Sequence, residues 1–150
     1  MPGDGVIREY TPAMFAACLD LFIEAFNGAP WNDSWTEETA GACLREIVEN
    51  TRFFGFTLWE GGALVGAAFC HAWTYWRGGQ AYVDELFVAP GCQRKGYGGL
   101  LMEAVEAYAR AQGLVSVTLL TNREYPSFAF FEGQGYRQSG YMVYMHKRMK

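Results

Sequence analysis

Val83-Asp84-Glu85-Leu86-Phe87-Val88, then Ala89-Pro90-Gly91-Cys92, then Gln93-Arg94-Lys95-Gly96-Tyr97-Gly98-Gly99-Leu100 is the stretch that decides the fold. A strand over 81–88 is stopped by Pro90-Gly91. A helix then runs from about 96 to 112, with Leu100, Leu101, Ala104, Val105 and Tyr108 inward and Gly113 as its C-cap. Glycines at the mouth of a helix let backbone N–H groups approach a ligand closely. Those unpaired N–H groups and the helix dipole attract anions. Arg94 and Lys95 add positive charge, so the segment reads as a pyrophosphate cradle. Two nucleotide motifs fail the comparison. A Walker A loop needs Gly-Lys-Ser/Thr, but Tyr97 follows Gly96. A Rossmann fingerprint needs a third glycine, which the run from Gly96 to Leu101 lacks, and the strand before it belongs to a hairpin series.

Upstream, a short strand over Val6–Glu9 precedes Thr11-Pro12, an N-cap with proline at the first helical position. Met14, Phe15, Cys18, Leu19, Phe22 and Phe26 follow at helical spacing, and Asn27-Gly28 ends that helix. After a loop, Ser34-x-x-Glu37 has the form of a capping box. It opens a second helix with Ala40, Cys43, Leu44, Ile47 and Val48 on one face. Strands over 54–59 and 63–73 flank the turn Glu60-Gly61-Gly62. Downstream come a strand over 114–121, a helix over 126–133 and one or two strands within 136–147. The order implies a mixed α/β fold with antiparallel hairpins and one βαβ unit.

The chain has 150 residues, half of them hydrophobic, and 25 aromatics, which excludes a disordered polymer. Its net charge of −4 excludes a general nucleic-acid or anionic-membrane binder. The charge is uneven. Residues 1–60 hold ten acids and three bases, a balance of −7, and the rest carry +3. That split fits a cationic ligand on one side and an anionic one on the other, or simply a solvated surface. No apolar run reaches the ~18–20 residues of a spanning helix, and the N-terminus has no signal-like core. Cys18, Cys43, Cys70 and Cys92 lie far apart, without CxxC or paired Cys/His spacing, which implies no metal site, no disulfide framework and a cytoplasmic setting.

The chain resembles the GNAT superfamily of acetyl-CoA-dependent N-acetyltransferases. Gln93-Arg94-Lys95-Gly96-Tyr97-Gly98 satisfies its Q/R-x-x-G-x-G/A signature, and Leu86-Phe87-Val88-Ala89-Pro90 is similar to the strand that enters it. Phe130-Phe131-Glu132-Gly133-Gln134-Gly135-Tyr136 resembles the later F-Y-E-K-L-G-F segment. The resemblance implies one domain over 1–150, with a twisted, mostly antiparallel sheet of six to seven strands and about four helices. It implies acetyl-CoA as cosubstrate and no metal. Backbone groups of Leu86, Phe87 and Val88 would pair with the pantetheine arm. Gln93, Arg94, Lys95, Gly96, Tyr97 and Gly98 would hold the pyrophosphate. Asn122 would bond the pantetheine, or serve only as a turn residue. Phe131, also assigned to the cofactor site, stands where many members carry a thiolate-protonating tyrosine. Tyr125, Tyr136, Tyr144 or water would then take that role, or the thiolate would leave unaided.

Acetyl transfer needs a neutral amine, and an alkylammonium has a pKa of about 10.4, so a base must take a proton. Polyamine acetyltransferases of this family resemble the pattern at Asp84-Glu85. By that match Asp84 is the candidate base or amine anchor, and Glu85 the reserve. Strand alternation implies that only one of the two faces the cleft. Trp31, Asp33, Trp35 and Trp73, with Asp84, form the candidate acceptor site, because tryptophans among carboxylates suit a cation. The alternative is that the tryptophans are core or a dimer contact. His71 reads as a strand residue satisfied by its neighbours, and Cys92 as a packed thiol. The expected activity is acetylation of a small polycationic amine, of aminoglycoside (hence antibiotic-resistance) or polyamine type. The rivals are a protein or peptide N-acetyltransferase and a non-catalytic acyl-CoA-binding module. A homodimer follows from family analogy alone.

Overall fold

In a computed structural model, residues 4–150 are described, and the first three residues of the N-terminal segment lie outside them. The elements are β1 (Val6–Glu9), a 3-10 turn (Pro12–Met14), α1 (Phe15–Asn27), α2 (Glu37–Val48), β2 (Phe53–Glu60), β3 (Ala63–Trp73) and β4 (Gln80–Val88). A second 3-10 turn (Pro90–Cys92), α3 (Tyr97–Ala111), β5 (Ser116–Leu119) and α4 (Pro126–Gly133) follow. Two compact units result, one ending at Leu120 and the other being Thr121–Lys150.

The first unit is a five-stranded sheet in the order β1-β2-β3-β4-β5. The first four strands run antiparallel and β5 lies parallel to β4. Gly61 and Gly62 turn the β2–β3 hairpin with φ of 57° and 82°, a conformation that favours glycine. α3 is the crossover between the parallel pair, as parallel strands require. Helices cover both faces. Cys18, Leu21, Phe22 and Ala25 of α1 and Ala40 and Leu44 of α2 bury against Ala67, Phe69 and Phe87. On the other face, Leu101, Met102, Val105 and Ala109 of α3 are buried. The register sorts β3 accordingly. Residues 67 and 69 face α1 and α2, whereas a Cβ on Gly66 would meet Leu101 at 3.1 Å.

Two local readings are corrected. Thr11 makes no side-chain cap, and its segment begins as a 3-10 turn before α1. α2 starts after Thr36, not Ser34, and its capping box pairs Thr36 with Thr39. The cause is Asn27, whose side chain accepts from the Trp35 N–H and donates to the Trp35 carbonyl, both at 2.9 Å. That clamp holds Trp35 outside the helix.

In the second unit, Asn122 Oδ1 accepts from the Glu124 N–H at 2.8 Å, closing a turn ahead of α4. Phe131 is buried and packs edge-on against Phe130 and Tyr136. The one or two strands expected within 136–147 do not form, so the sheet has five strands rather than six to seven. Tyr141, Met142, Val143, Tyr144 and Met145 have strand-like composition but are exposed. A strand needs a partner for its N–H and C=O groups, and among the described residues none pairs with 142–150.

Candidate active site

The site is built around an irregularity in β4. Cys70 pairs with Val83 and Phe69 with Glu85, so Asp84 is an extra residue without a partner on β3. Such a bulge bends the strand and re-aims its side chains. It overturns the expectation that alternation leaves only one of the two acids in the cleft. Glu85 pairs with Phe69, which faces α1 and α2. Asp84 reaches His71, two residues further along the same face of β3. The Cys43 thiol of α2 is pushed up by burial and by the charges of Glu85, Glu46 and Asp84. Both carboxyls therefore sit on one face, beneath α2.

His71 Nδ1 lies 2.7 Å from Asp84 Oδ2, with the two side chains 24% and 19% exposed. The expectation that neighbours satisfy His71 is met at that atom, by the very residue proposed as base. Burial raises the Asp84 carboxyl above its usual range, and the bond from His71 opposes that rise. Glu85 is pushed up to about 7, chiefly by burial, then by the charge of Asp84, then by Asp33. Two adjacent acids in a poorly solvated place have a reason to hold a proton or a cation.

The loop between α1 and α2 supplies the facing wall. Trp35 Nε1 donates to Asp33 Oδ2 at 3.1 Å, and its ring meets Phe22 edge-on at 5.1 Å. Trp31 packs edge-on against Phe26 at 5.2 Å. Each half-buried ring thus has one edge in the core, and Trp35 also orients the carboxylate of Asp33. Trp73 ends β3 two residues beyond His71. It is exposed and packs against Tyr75, which in turn meets the exposed Trp76.

The segment assigned to the cofactor lies along the rest of β4. β5 pairs only with 80–83, so among the described residues no strand covers 84–88 on that edge. The Ala89 N–H bonds the Val65 carbonyl, so by alternation Phe87 bonds toward β3 and Leu86 and Val88 turn their backbone groups to the open edge, while the Phe87 side chain is core. Beyond them, turn and cap hydrogen bonds stop at the Cys92 N–H and resume at the Leu100 N–H, which bonds Gly96. Gly96 takes a left-handed φ of 81° and Arg94 one of 64°. Among the described residues no turn or cap bond takes the N–H groups of 93–99, which lie together at the mouth of α3, a geometry suited to phosphate. Lys95 shares its charge with Glu60 at 3.5 Å, and the buried Tyr97 donates its hydroxyl to the same carboxylate. Among the described residues Arg94 has no ion pair. Gln93 Nε2 lies 3.5 Å from the Val88 carbonyl. Gly98 falls in the first turn of α3, whose N–H groups lack helical partners. Asn122 and Phe131 belong to the second unit, and the Asn122 side chain is engaged in its own turn.

A family model described as the acetyltransferase (GNAT) family matches residues 15–136, which spans most of the chain and parts of both units. The chain belongs to the acetyltransferase (GNAT) family. Membership makes it an acetyl-CoA-dependent N-acetyltransferase. Among solved structures, the chain is similar to AAC(6')-Iy in complex with the bisubstrate analogue CoA-S-monomethyl-acetylneamine. The TM-score is 0.76 at 18% identity, over 98% of this chain and 100% of that one. The aminoglycoside acetyltransferase meta-AAC0020 from an uncultured soil metagenomic sample, in complex with sisomicin, gives 0.76 at 17% identity over 97% of each chain. A transcriptional regulator from Bacillus halodurans C-125 gives 0.75 at 16% identity, over 95% of this chain and 99% of that one. At these identities the likeness shows the GNAT fold. No curated protein sequence matches the chain. No helix among the described residues is long and apolar enough to cross a membrane.

Proposed function

We propose that this GNAT enzyme moves the acetyl group of acetyl-CoA directly to a primary amine of a small polycationic acceptor, of aminoglycoside or polyamine type. The observation that carries the reading is the bulge at Asp84, which puts Asp84 and Glu85 side by side opposite Asp33. An ammonium about 4 Å from one carboxylate gains ~4 kcal/mol at an effective dielectric of 20. A monocation uses one such contact, whereas a polycation engages several. The exposed face of Trp73 adds cation–π attraction of ~0.5–2 kcal/mol. The aminoglycoside acetyltransferases among the structural relatives support the same class.

On this reading the acyl donor lies along the uncovered edge of 84–88, its pyrophosphate on the N–H groups of 93–98. Asp84 and Glu85 anchor the ammonium next to the thioester and assist its deprotonation. The neutral nitrogen then attacks the thioester carbon, the C–S bond breaks, and coenzyme A leaves as thiolate. The sum is an ammonium plus a thioester giving an amide, a thiol and one proton. Phe131 has no proton to donate to the thiolate, which is an acceptable leaving group near neutral pH without one.

The test is thiol release from acetyl-CoA with aminoglycosides, polyamines, neutral amino acids and short peptides. Polycations should turn over with kcat/KM at least tenfold above neutral amino acids. Better turnover of neutral amino acids or peptides would refute the acceptor class.

A further inference from the structure

We propose that His71 takes the acceptor's proton through Nε2, and that Asp84 is the positioning residue that holds Nδ1–H. The inference rests on the acetyl transfer proposed above and assigns its proton to one atom. An ionised carboxylate only accepts, so with Asp84 ionised the 2.7 Å contact to Asp84 Oδ2 is made by Nδ1–H. Nε2 then carries the lone pair. Among the described residues nothing bonds Nε2, and the side chain is 24% exposed on the cleft face. Neutral imidazole is the side chain whose ordinary pKa suits a base near pH 7. A bare carboxylate is about six units weaker as a base than the amine it must deprotonate. Asp84 lies two residues beyond Tyr82, the partner of His71, so regular alternation puts it on the imidazole's face, and the bulge adds Glu85 to that face.

Titratable and aromatic groups surround the imidazole. Asp84 and Glu85 come from β4, the Tyr82 ring lies 5.5 Å away on the same strand, and Cys43 lies on α2. Arg52, at the start of β2, turns its guanidinium to Thr74 Oγ1. Two nearby carboxylates stabilise the imidazolium formed when the ammonium gives up a proton. Two N–H bonds of the ammonium are lost: the first proton goes to Nε2 before attack and from there to solvent, and the second leaves the nitrogen once the C–N bond has formed and passes to the departing thiolate.

The test uses His71→Gln, with the full chain, on whichever polycation the wild type acetylates. Glutamine keeps a polar side chain toward Asp84 but cannot hold the proton. We expect kcat to fall ~10²–10⁴-fold at pH 7, with the acceptor KM changed less than threefold and acetyl-CoA still raising the melting temperature. The loss should shrink as pH approaches the amine's own pKa. A kcat within threefold of wild type, with an unchanged acid limb of the pH–rate profile, would overturn the proposal. A second readout needs no turnover. The chain has only two histidines, His71 and His146, so His146→Gln assigns the ¹⁵N spectrum. His71 should show Nδ1–H with a bare Nε2 at pH 8, and Asp84→Ala should abolish that preference. The opposite tautomer would overturn the assignment. If the wild type acetylates no amine at all, the acetyl-transfer reading fails and this inference falls with it.

Discussion

Replacing Glu85 with glutamine should stabilise the protein, by an amount that grows as pH rises from about 4.3 to about 7. In the fold the carboxyl is pushed up to about 7, first by burial and then by the charges of Asp84 and Asp33. Unfolded, it returns to about 4.3. Below that lower value both states hold the proton and nothing is lost. As pH rises the unfolded chain ionises first, so stability falls until pH passes about 7. Each unit of pKa difference corresponds to ~1.4 kcal/mol, which sets a ceiling of ~3–4 kcal/mol. Glu85 titrates as a pair with Asp84 and keeps some solvent contact, so ~2 kcal/mol is the expected loss. Glutamine has the same shape and no charge to lose. Glu85→Gln should therefore gain ~2 kcal/mol at pH 8 and close to nothing at pH 4.5. For a chain of this length that is a rise in Tm of ~4–8 °C. Circular-dichroism melts of both proteins from pH 4.5 to 8.5 read the difference directly. A Tm gap that stays constant across that range would refute the argument, because only a titrating group makes it grow. The same variant should bind a polycation more weakly at pH 8, since the charge that strains the fold is the charge that attracts the ligand.

Asn27→Ala removes both bonds to Trp35, which should cost ~1–3 kcal/mol in urea unfolding. It should raise the acceptor KM several-fold while leaving the acetyl-CoA KM unchanged, because the clamp orders the loop carrying Asp33. Gly96→Ala places a Cβ on a residue with φ of 81°, a strain of ~1–2 kcal/mol. It should raise the acetyl-CoA KM in steady-state kinetics with the acceptor KM unchanged.

Local signals survived into the fold. Pro90-Gly91, the helical spacing of Leu101 and Val105, and Gly113 mark the ends of β4 and α3 without reference to the rest of the chain. The glycine-containing turn ahead of α3 was legible for the same reason. Three features were not. Residues 34–39 hold two overlapping capping boxes, and the choice between them lies with Asn27, eight residues before Trp35. The apolar run Tyr141–Met145 (residues 141–145) carries strand propensity, which reports side-chain fit to a pleated surface and is silent on whether a partner is present. The bulge leaves no mark in 81–88 at all. It exists only in the pairing of β4 with β3, and the His71–Asp84 bond depends on that register across 13 residues of sequence.

Pairing of β4 with β5 ends at Val83, and regular pairing with β3 lapses at the next residue. These two breaks have separate physical effects. Loss of β5 uncovers backbone N–H and C=O groups along 84–88, which an extended amide-bearing ligand can satisfy. Loss of register turns Glu85 to the face that Asp84 shares with His71, which concentrates negative charge beneath α2. One strand therefore presents main chain at its edge and carboxyls on its face, starting at the same residue. On the proposed function the donor meets backbone geometry that any sequence of strand-forming residues supplies, while the acceptor meets side chains. Acceptor preference is then free to change through positions such as Asp33, Trp73 and Glu85 without disturbing the donor site. That separation gives the two KM predictions their separate targets: a change in the loop clamp raises the acceptor constant, and a change at Gly96 raises the acetyl-CoA constant.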